Sequence, residues 1–294
     1  MTSSILAVPR GTTADYMELV KPRITLMVML TALVGFVMGS AGGALDFTAL
    51  ASALAGTGLV AAGASALNML LERRTDGLMR RTQNRPLPAG RLRPVEALAW
   101  GAVLTLSGVA FLAWRSGPLP ATVALATWTS YLFLYTPLKT RTSLSTVVGA
   151  LPGALPPVIG WAAARGRIDA GAFVLFAILF LWQIPHFLAI AWIYREDYAR
   201  GGLPMLPVVD PAGVITGRQA VANTLALAIV SLAPAFGRMA GSLYLAGALA
   251  LGVMYTAAAV WAAVKRTPAA ARGLFLASLA YLSILCTLLI VDRM

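Results

Sequence analysis

The sequence predicts an all-α, polytopic membrane protein: a bundle of nine transmembrane helices with its polar loops on the cytoplasmic side. Of the 294 residues, 59% are hydrophobic and only 12% are charged, which is too apolar for an ordinary soluble domain. The uncharged stretches are long enough to cross a bilayer as helices, and they lack the alternation of barrel strands. Helices are therefore the predicted spanning elements.

Nine uncharged stretches have the length of a transmembrane helix, roughly 17–25 residues. They are residues 24–45, 47–71, 97–114, 116–138, 142–164, 170–194, 219–237, 239–264 and 273–291. Residues 1–20 contain Asp15 and Glu18 and have no apolar core, so they predict a short cytoplasmic leader. Residues 21–294 are expected to form a single domain.

Lysine and arginine are distributed unevenly between the two sides of such a bundle. With the N-terminus inside, the cytoplasmic segments hold eighteen of the 23 Lys and Arg residues, and the outer segments hold five. Cytoplasmic loops of membrane proteins carry this excess. The sequence therefore predicts a multi-pass protein of the cell inner membrane, with the N-terminus cytoplasmic and the C-terminus outside. The net charge of +12 is assigned to these loops, and no nucleic-acid partner is expected.

The cytoplasmic end of the second span carries a stripe of oxygen-bearing side chains. Asn68, Glu72 and Asp76 are four residues apart, so in a helix they share one face. Carboxylate and amide oxygens suit Mg²⁺, which completes its coordination shell with water and substrate phosphate. Arg81 and Arg85 follow and can pair with phosphate oxygens. The pattern indicates a magnesium-bridged diphosphate site; simple acid–arginine pairs on the helix surface are the alternative.

The segment around the end of the sixth span contains a second group of candidates. Pro185 is expected to break or kink the helix, and His186, the only histidine, follows it. Asp197 lies eleven residues further along, three turns up the same face. We expect Asp197 to hold a second Mg²⁺ or the other side of the same diphosphate, with a surface pair to Arg200 as the alternative. For His186 the alternative is a buried side chain bonded to a backbone carbonyl.

The fourth and fifth spans place Tyr135, Lys139 and Arg141 at the same cytoplasmic level. Glycines and prolines between Gly149 and Gly160 predict an irregular fifth span, which membranes tolerate where the backbone is buried or lines a cavity. An apolar cavity beneath the charged loops would hold a hydrocarbon tail, and the polar residues above it would hold a diphosphate. A prenyl diphosphate has both parts. Metal and arginine would neutralise the departing diphosphate.

These motifs resemble the signatures of the UbiA-type intramembrane prenyltransferases. The first signature is matched by Asn68-x-x-x-Glu72-x-x-x-Asp76 and the Arg-Thr-x-x-Arg-Pro-Leu that follows it. The segments that look like the branch of the family that farnesylates protoheme IX are YTPLK at 135–139, GALPPVIGW at 153–161, PHF at 185–187 and REDY through PMLP at 195–207. The resemblance extends from about Val20 to the C-terminus.

The resemblance implies an enzyme, an intramembrane prenyltransferase that moves the farnesyl group of farnesyl diphosphate to a vinyl group of heme b. Addition of a hydroxyl from water would give heme O for terminal oxidases. Mg²⁺ is the implied metal, and heme b is a substrate rather than a cofactor. The implied partners are the lipid bilayer and the two substrates, with a heme A synthase or an oxidase assembly downstream.

The resemblance also assigns roles to individual residues. The catalytic, metal–diphosphate role falls to Asn68, Glu72, Asp76 and Asp197. Contacts to the diphosphate fall to Arg81, Arg85 and Lys139, and the remaining substrate-binding candidates are Tyr135, Arg141 and His186. His186 is expected to touch either the heme or the hydrogen-bond network of the site.

Two positions depart from the pattern of the family. Glu72 stands where the family usually has Asp, and its extra methylene moves the carboxylate oxygens by about 1.5 Å. Lys139-Thr140-Arg141 replaces the usual Lys-Arg pair, so Arg141 points elsewhere on a helix. The first departure bears on the geometry and number of the metal ions.

Three other functions are consistent with parts of the sequence. A prenyltransferase acting on an aromatic quinone precursor is disfavoured because no second Asp-x-x-x-Asp pair follows the sixth span. A secondary transporter would place its polar site at the membrane midplane, whereas these polar residues cluster at one face. An assembly factor that binds heme without chemistry would tolerate the loss of Asp76.

Overall fold

The computed structural model describes residues 11–40 and 42–294, and the regular structure in these ranges is helical except for one isolated bridge between Ala240 and Arg293. The short helix α1 (Thr13–Leu19) precedes three longer ones: α2 (Pro22–Gly39), α3 (Phe47–Leu78) and α4 (Pro94–Arg115). The predicted all-α membrane class is confirmed. Residues 1–10 of the predicted leader lie outside the described residues.

The fourth and fifth spans are irregular. The fourth consists of α5 (Pro118–Thr129), a π-helical segment (Ser130–Tyr135) and α6 (Thr136–Leu138). The fifth consists of α7 (Ser145–Ala154) and α8 (Pro156–Arg165), which meet at Leu155. The glycines and prolines of the fifth span therefore produce the irregularity that the sequence predicts.

The second half of the bundle begins with α9 (Ala170–Ile193). Two short helices follow it, α10 (Arg195–Arg200) and α11 (Leu206–Val209). The remaining elements are α12 (Val214–Val230), α13 (Ala233–Phe236), α14 (Ser242–Lys265) and α15 (Pro268–Val291). Within residues 11–40 and 42–294, eight helical segments are long and apolar enough to cross a membrane. The predicted span absent from these eight is the fourth, 116–138, which the π-helical segment divides, so the count of nine is approximate.

Helix α3 reaches beyond the bilayer. Its 32 residues correspond to about 48 Å of helix, against about 30 Å for the hydrocarbon core. The carboxylate of Asp46 caps its N-terminal end by accepting hydrogen bonds from the backbone N–H groups of Thr48 and Ala49. The C-terminal end of α3 therefore projects as a helix, and the predicted stripe lies on it.

Helix α9 differs from the sequence prediction in two respects. It continues through Pro185, so of the predicted break or kink the structure excludes the break. It ends at Ile193, and the non-helical Tyr194 separates it from α10. His186 and Asp197 therefore do not lie on one continuous helix, because the chain turns between them.

Helices α2 and α8 pack with their backbones in contact. A Cβ atom at Gly35 would overlap the carbonyl oxygen of Pro157, and one at Gly160 would overlap that of Ala32. Small residues permit this close approach between membrane helices. The contact fixes α2, and with it the chain segment that precedes α2, against the centre of the bundle.

Helix α1 lies over the loop between α3 and α4. Thr12 and Asp15 form a capping box, and Arg91 of the loop donates a 2.7 Å hydrogen bond to Asp15. The Arg91 guanidinium, with the hydrogen bonds from Thr12, lowers the pKa of Asp15 to about 2. Leu19 is buried against the same loop. These contacts hold the residues just before α2 next to the polar end of α3.

Candidate active site

The stripe predicted on the second span exists in the structure. Asn68, Glu72 and Asp76 follow one another at intervals of one turn along the C-terminal end of α3. Asn68 and Asp76 keep only 2% and 1% of their surface exposed. Buried polar groups need partners, and each of these three oxygen-bearing groups has a cationic one.

Three cations reach the stripe from three different elements. The pairs are Lys21 Nζ to Asn68 Oδ1 at 2.9 Å, Lys139 Nζ to Glu72 Oε1 at 3.0 Å, and Arg85 Nη1 to Asp76 Oδ2 at 2.8 Å. The cations come from the start of α2, the end of the fourth span and the loop after α3. The site is thus a row of three oxygen acceptors, each paired with one cation.

The sequence does not identify Lys21 as a site residue. In the sequence it is only one of the positive charges that precede the first long helix, and its contact with Asn68 cannot be seen. It caps the start of α2 in the left-handed conformation, with a φ of +47°. Burial, together with the nearby Arg85 guanidinium, lowers its pKa to about 8. A lysine directly before the proline that opens a span was the available signal.

The π-helical segment places polar and aromatic groups beside the stripe. Asn68 Nδ2 donates to Thr136 Oγ1 at 3.1 Å, and Thr136 Oγ1 donates to the carbonyl oxygen of Tyr131 at 2.8 Å. The rings of Tyr131 and Tyr135 stack at 5.7 Å, and Lys139 Nζ lies 5.9 Å from the centre of the Tyr135 ring. π-Bulges recur at functional sites because they redirect side chains in this way. Tyr135 and Lys139 therefore lie beside the stripe.

Asp197 joins α10 to the loop after α3. Its carboxylate accepts hydrogen bonds from the backbone N–H groups of Arg80 at 3.2 Å and Arg81 at 3.1 Å, and from the Arg200 guanidinium. Burial opposes ionisation of this carboxyl, but the hydrogen bonds from Arg200, Arg81 and Arg80 hold its pKa below the usual range. The pair to Arg200, which the sequence offers as the alternative for Asp197, is thus present in the structure, and the same carboxylate also holds the backbone of the loop after α3.

Arg81 is held over two aromatic rings of the second loop. Its guanidinium carbon lies 4.9 Å from the ring centre of Tyr194 and 5.5 Å from that of Tyr198, and Nη2 donates to the Tyr198 hydroxyl at 3.4 Å. This arrangement is a cation–π contact that leaves other guanidinium donors free. Arg81 remains exposed to solvent.

Two predicted residues lie apart from this cluster. Arg141 is exposed in the turn after α6 and has no ion pair within the described part of the chain. His186 lies further down α9, where its Nδ1 is 2.7 Å from Ser278 Oγ of α15. The structure therefore separates His186, inside the bundle, and Arg141, on the surface, from the polar site at the end of α3.

The oxygen donors of the stripe fit a magnesium ion. Residues 11–40 and 42–294 contain no group of three His, Cys, Asp or Glu side chains close enough to hold a metal on their own. Mg²⁺ does not require such a group, since it typically takes one or two carboxylates and completes its shell with water and phosphate. Glu72 and Asp76 supply two carboxylates, and Asn68 supplies an amide oxygen. Their present partners are cations, so these oxygens already occupy a site suited to positive charge.

Residues 28–285 match the model of the UbiA prenyltransferase family. The chain belongs to the UbiA prenyltransferase family. It is 48% identical over 287 residues to the protoheme IX farnesyltransferase of Solibacter usitatus, which covers 95% of this chain and 98% of that protein. It is 43% identical to the protoheme IX farnesyltransferase of Salinibacter ruber, with 95% of this chain and 98% of that protein covered. The predicted resemblance to this prenyltransferase family, and to its heme-farnesylating branch, is confirmed.

Solved structures share the fold. A digeranylgeranylglyceryl phosphate synthase superimposes with a TM-score of 0.80 at 16% identity, covering 95% of this chain and 97% of that one. A UbiA homolog from Archaeoglobus fulgidus bound to GPP and Mg²⁺ superimposes with a TM-score of 0.67 at 17% identity, covering 94% and 99%. The helical bundle is therefore the fold of UbiA-type proteins.

Proposed function

We propose that this chain transfers a farnesyl group from farnesyl diphosphate to a vinyl group of heme b and so makes heme O for terminal oxidases. The observation that carries the proposal is the pairing of each oxygen acceptor on α3 with a cation from another element. Relatives above 40% identity over nearly the whole chain are protoheme IX farnesyltransferases. The Archaeoglobus fulgidus homolog of the same fold holds GPP and Mg²⁺.

The three cations paired with the stripe are suited to exchange these partners for the substrate. Asn68, Glu72 and Asp76 would hold Mg²⁺, which supplies positive charge to the leaving diphosphate when bound. Lys21, Lys139 and Arg85 would then turn from these oxygens to those of the diphosphate. Because every charge keeps a partner before and after this exchange, substrate binding would leave no uncompensated buried charge.

The chemical step is an ionisation followed by two additions. The bond between C1 of the farnesyl group and the diphosphate oxygen breaks, and the electron pair leaves with the diphosphate. The vinyl π electrons form the new bond to C1, which leaves a cation on the vinyl carbon next to the porphyrin ring. Water adds to this carbon and loses a proton, giving the hydroxyethylfarnesyl group.

The aromatic residues of the π segment lie where they can stabilise a cation. The faces of Tyr131 and Tyr135 carry negative potential and lie next to Lys139, which we place on the diphosphate. The farnesyl tail would extend from there into the apolar interior of the bundle. Asp197 would act by holding Arg80 and Arg81 of the first loop in place, and Arg81 would contact the diphosphate from the solvent side.

The proposal includes the placement of the chain in the membrane. The polar ends of α3 and α10 face the cytoplasm, with the N-terminus inside and the C-terminus outside, as the distribution of lysine and arginine indicates. The leader up to residue 20 would lie in the cytoplasm, and residues 21–294 would form a single prenyltransferase domain. A heme A synthase or an oxidase assembly would consume the product.

The decisive experiment is an assay of purified protein in detergent with heme b, farnesyl diphosphate and Mg²⁺. Mass spectrometry should find heme heavier by one farnesyl group and one hydroxyl group, and EDTA should abolish this product. Asp76→Asn should abolish it too, because the variant removes a carboxylate charge from the stripe. Asp46→Asn is the matched control, since it changes an aspartate at the opposite end of the same helix and asparagine caps helices equally well.

Other outcomes would point to other functions. Prenylation of a quinone precursor in place of heme would make the chain an aromatic prenyltransferase of another specificity. Heme binding without any prenylated product, unchanged by Asp76→Asn, would indicate an assembly factor. Either result contradicts the proposal.

A further inference from the structure

The single histidine occupies an aromatic and largely apolar environment inside the bundle. His186 keeps 9% of its surface exposed and stacks on Trp182 at 4.8 Å, with an interplanar angle of 23°. Phe275 and Phe187 lie 5.1 Å and 5.5 Å from its ring. An ionisable residue inside a membrane span is costly and is a candidate functional group. The polar site at the end of α3 does not use it.

The hydrogen bonds around His186 determine which ring nitrogen carries the proton. Ser278 Oγ donates its only hydrogen to the carbonyl oxygen of Phe275 at 2.5 Å. The 2.7 Å contact between Ser278 Oγ and His186 Nδ1 then requires the histidine to be the donor. The ring is therefore the neutral tautomer with its proton on Nδ1. Its Nε2 keeps a lone pair and has no hydrogen-bond partner among the described residues.

Ser278 positions two rings at once. Its hydroxyl receives the Nδ1–H of His186, and its carbonyl oxygen receives the indole N–H of Trp182 at 2.7 Å. The carbonyl oxygen of Trp182 in turn accepts from the Tyr255 hydroxyl at 3.3 Å. Ser278 itself is fully buried. The imidazole is thus held in one orientation and one tautomer by contacts from α14 and α15.

This is the arrangement of a histidine that ligates a metal. Ligating histidines present one nitrogen to the metal and donate the other N–H to a carbonyl, carboxylate or similar acceptor, which fixes the tautomer and the ring. Neutral imidazole is also a standard axial ligand of heme iron. We infer that His186 Nε2 ligates the iron of the porphyrin substrate and that Ser278 is the positioning residue for this bond. The inference rests on the proposed function, which supplies the iron porphyrin.

The position of His186 suits this role. It lies seven residues before Ile193, where α9 ends, which corresponds to about 10 Å along the helix. A porphyrin attached at His186 would lie below the cytoplasmic loops, with its edge toward the diphosphate site. An axial bond fixes the depth and tilt of the macrocycle, while the choice of vinyl group is left to contacts at the edge.

The first test is the absorption and electron paramagnetic resonance of heme b added to the purified protein. The wild type should show an imidazole-ligated iron, and His186→Gly should lose this signature. Added imidazole should restore it in the glycine variant, because the small ligand fills the space of the missing ring. Identical spectra for the wild type and His186→Gly would overturn the inference.

A pair of serine variants tests the positioning role. Ser278→Ala should lower the affinity for heme b about 10- to 100-fold, the usual effect of losing the partner of a ligating histidine, and should broaden the iron spectrum. Ser231→Ala is the matched control: it also removes a fully buried hydroxyl, one that contacts Tyr281 2.6 Å away. Equal losses in both variants, or no loss in Ser278→Ala, would contradict the role of Ser278.

Iron-free protoporphyrin IX separates this inference from the proposed function. Its affinity should be the same for the wild type and His186→Gly, because it has no iron to ligate. A wild type that farnesylates heme b while its spectrum is insensitive to His186→Gly would refute iron ligation and leave the proposed function intact. A wild type that neither binds nor farnesylates heme b would refute both.

Discussion

At the scale of single residues, Lys21 is held in a conformation that costs free energy. The left-handed region costs a residue with a side chain about 1–2 kcal/mol, and Lys21 adopts it at the turn between α1 and α2. The conformation directs the ammonium group to Asn68. The packing of Leu19 and the Asp15–Arg91 pair stabilise the turn from its other side. The strained conformation thus places the Lys21 ammonium group at the site.

Replacement of Lys21 tests whether this cation binds the diphosphate. Lys21→Met should raise the KM for farnesyl diphosphate about tenfold or more, since a hydrogen bond to a charged group contributes about 1.5–3 kcal/mol. Arg23→Met is the matched control, because it removes an exposed positive charge two residues away. Steady-state kinetics with varied farnesyl diphosphate would measure both. A similar KM in the wild type and Lys21→Met would show that Lys21 only neutralises the resting site.

At the scale of elements, the contact between α2 and α8 determines where Lys21 can be. The two backbones touch at Gly35 and Gly160, and neither position has space for a side chain. Because α2 begins directly after Lys21, a shift of α2 away from α8 would move the ammonium group away from Asn68. The glycine pair therefore contributes to the geometry of the site as well as to stability.

Gly160→Ala should destabilise the protein by about 1–3 kcal/mol, the usual effect of overpacking a close contact. The new methyl group would overlap backbone, which cannot rotate away. Thermal unfolding in detergent, followed by fluorescence-detected size-exclusion chromatography, would report the loss. Gly252→Ala is the control, because its new Cβ would lie 3.0 Å from the Cβ of Ala228 and a small shift relieves that contact. Equal unfolding temperatures for the two variants would argue against a rigid α2–α8 contact.

At the scale of the whole molecule, the charge distribution predicts the orientation in the membrane. The only cysteine is Cys286, so Cys286→Ser provides a background without thiols. In that background, Ser242→Cys should react with a membrane-impermeant maleimide on intact cells, and Thr140→Cys should react only after permeabilisation. Both positions are exposed, so differences in access report sidedness rather than burial. The reverse labelling pattern would place the polar site outside.

The spacing of residues along the sequence was sufficient to predict much of the candidate site. The alignment of Asn68, Glu72 and Asp76 on one face follows from the helical period alone. Arg85 lies only nine residues after Asp76, so the grouping of these four residues could be predicted from the sequence. The choice between a break and a continuous helix at Pro185 could not be made from the sequence, because it depends on the neighbouring helices that stabilise α9 around this proline. Lys21 was missed because its contact with Asn68 spans 47 residues of sequence.

The sequence by itself determined the membrane class, the approximate number of spans and the position of the polar stripe, because hydropathy and helical periodicity are local properties. Only the tertiary structure decided which cation pairs with which oxygen acceptor on α3. It also decided how Asp197 binds the backbone of the loop after α3, and that Ser278 holds His186 in one tautomer. These contacts join residues far apart in the chain, and they depend on the packing of α2 against α8 and of α9 against α15. Such packing is a property of the whole bundle, so no short segment encodes it.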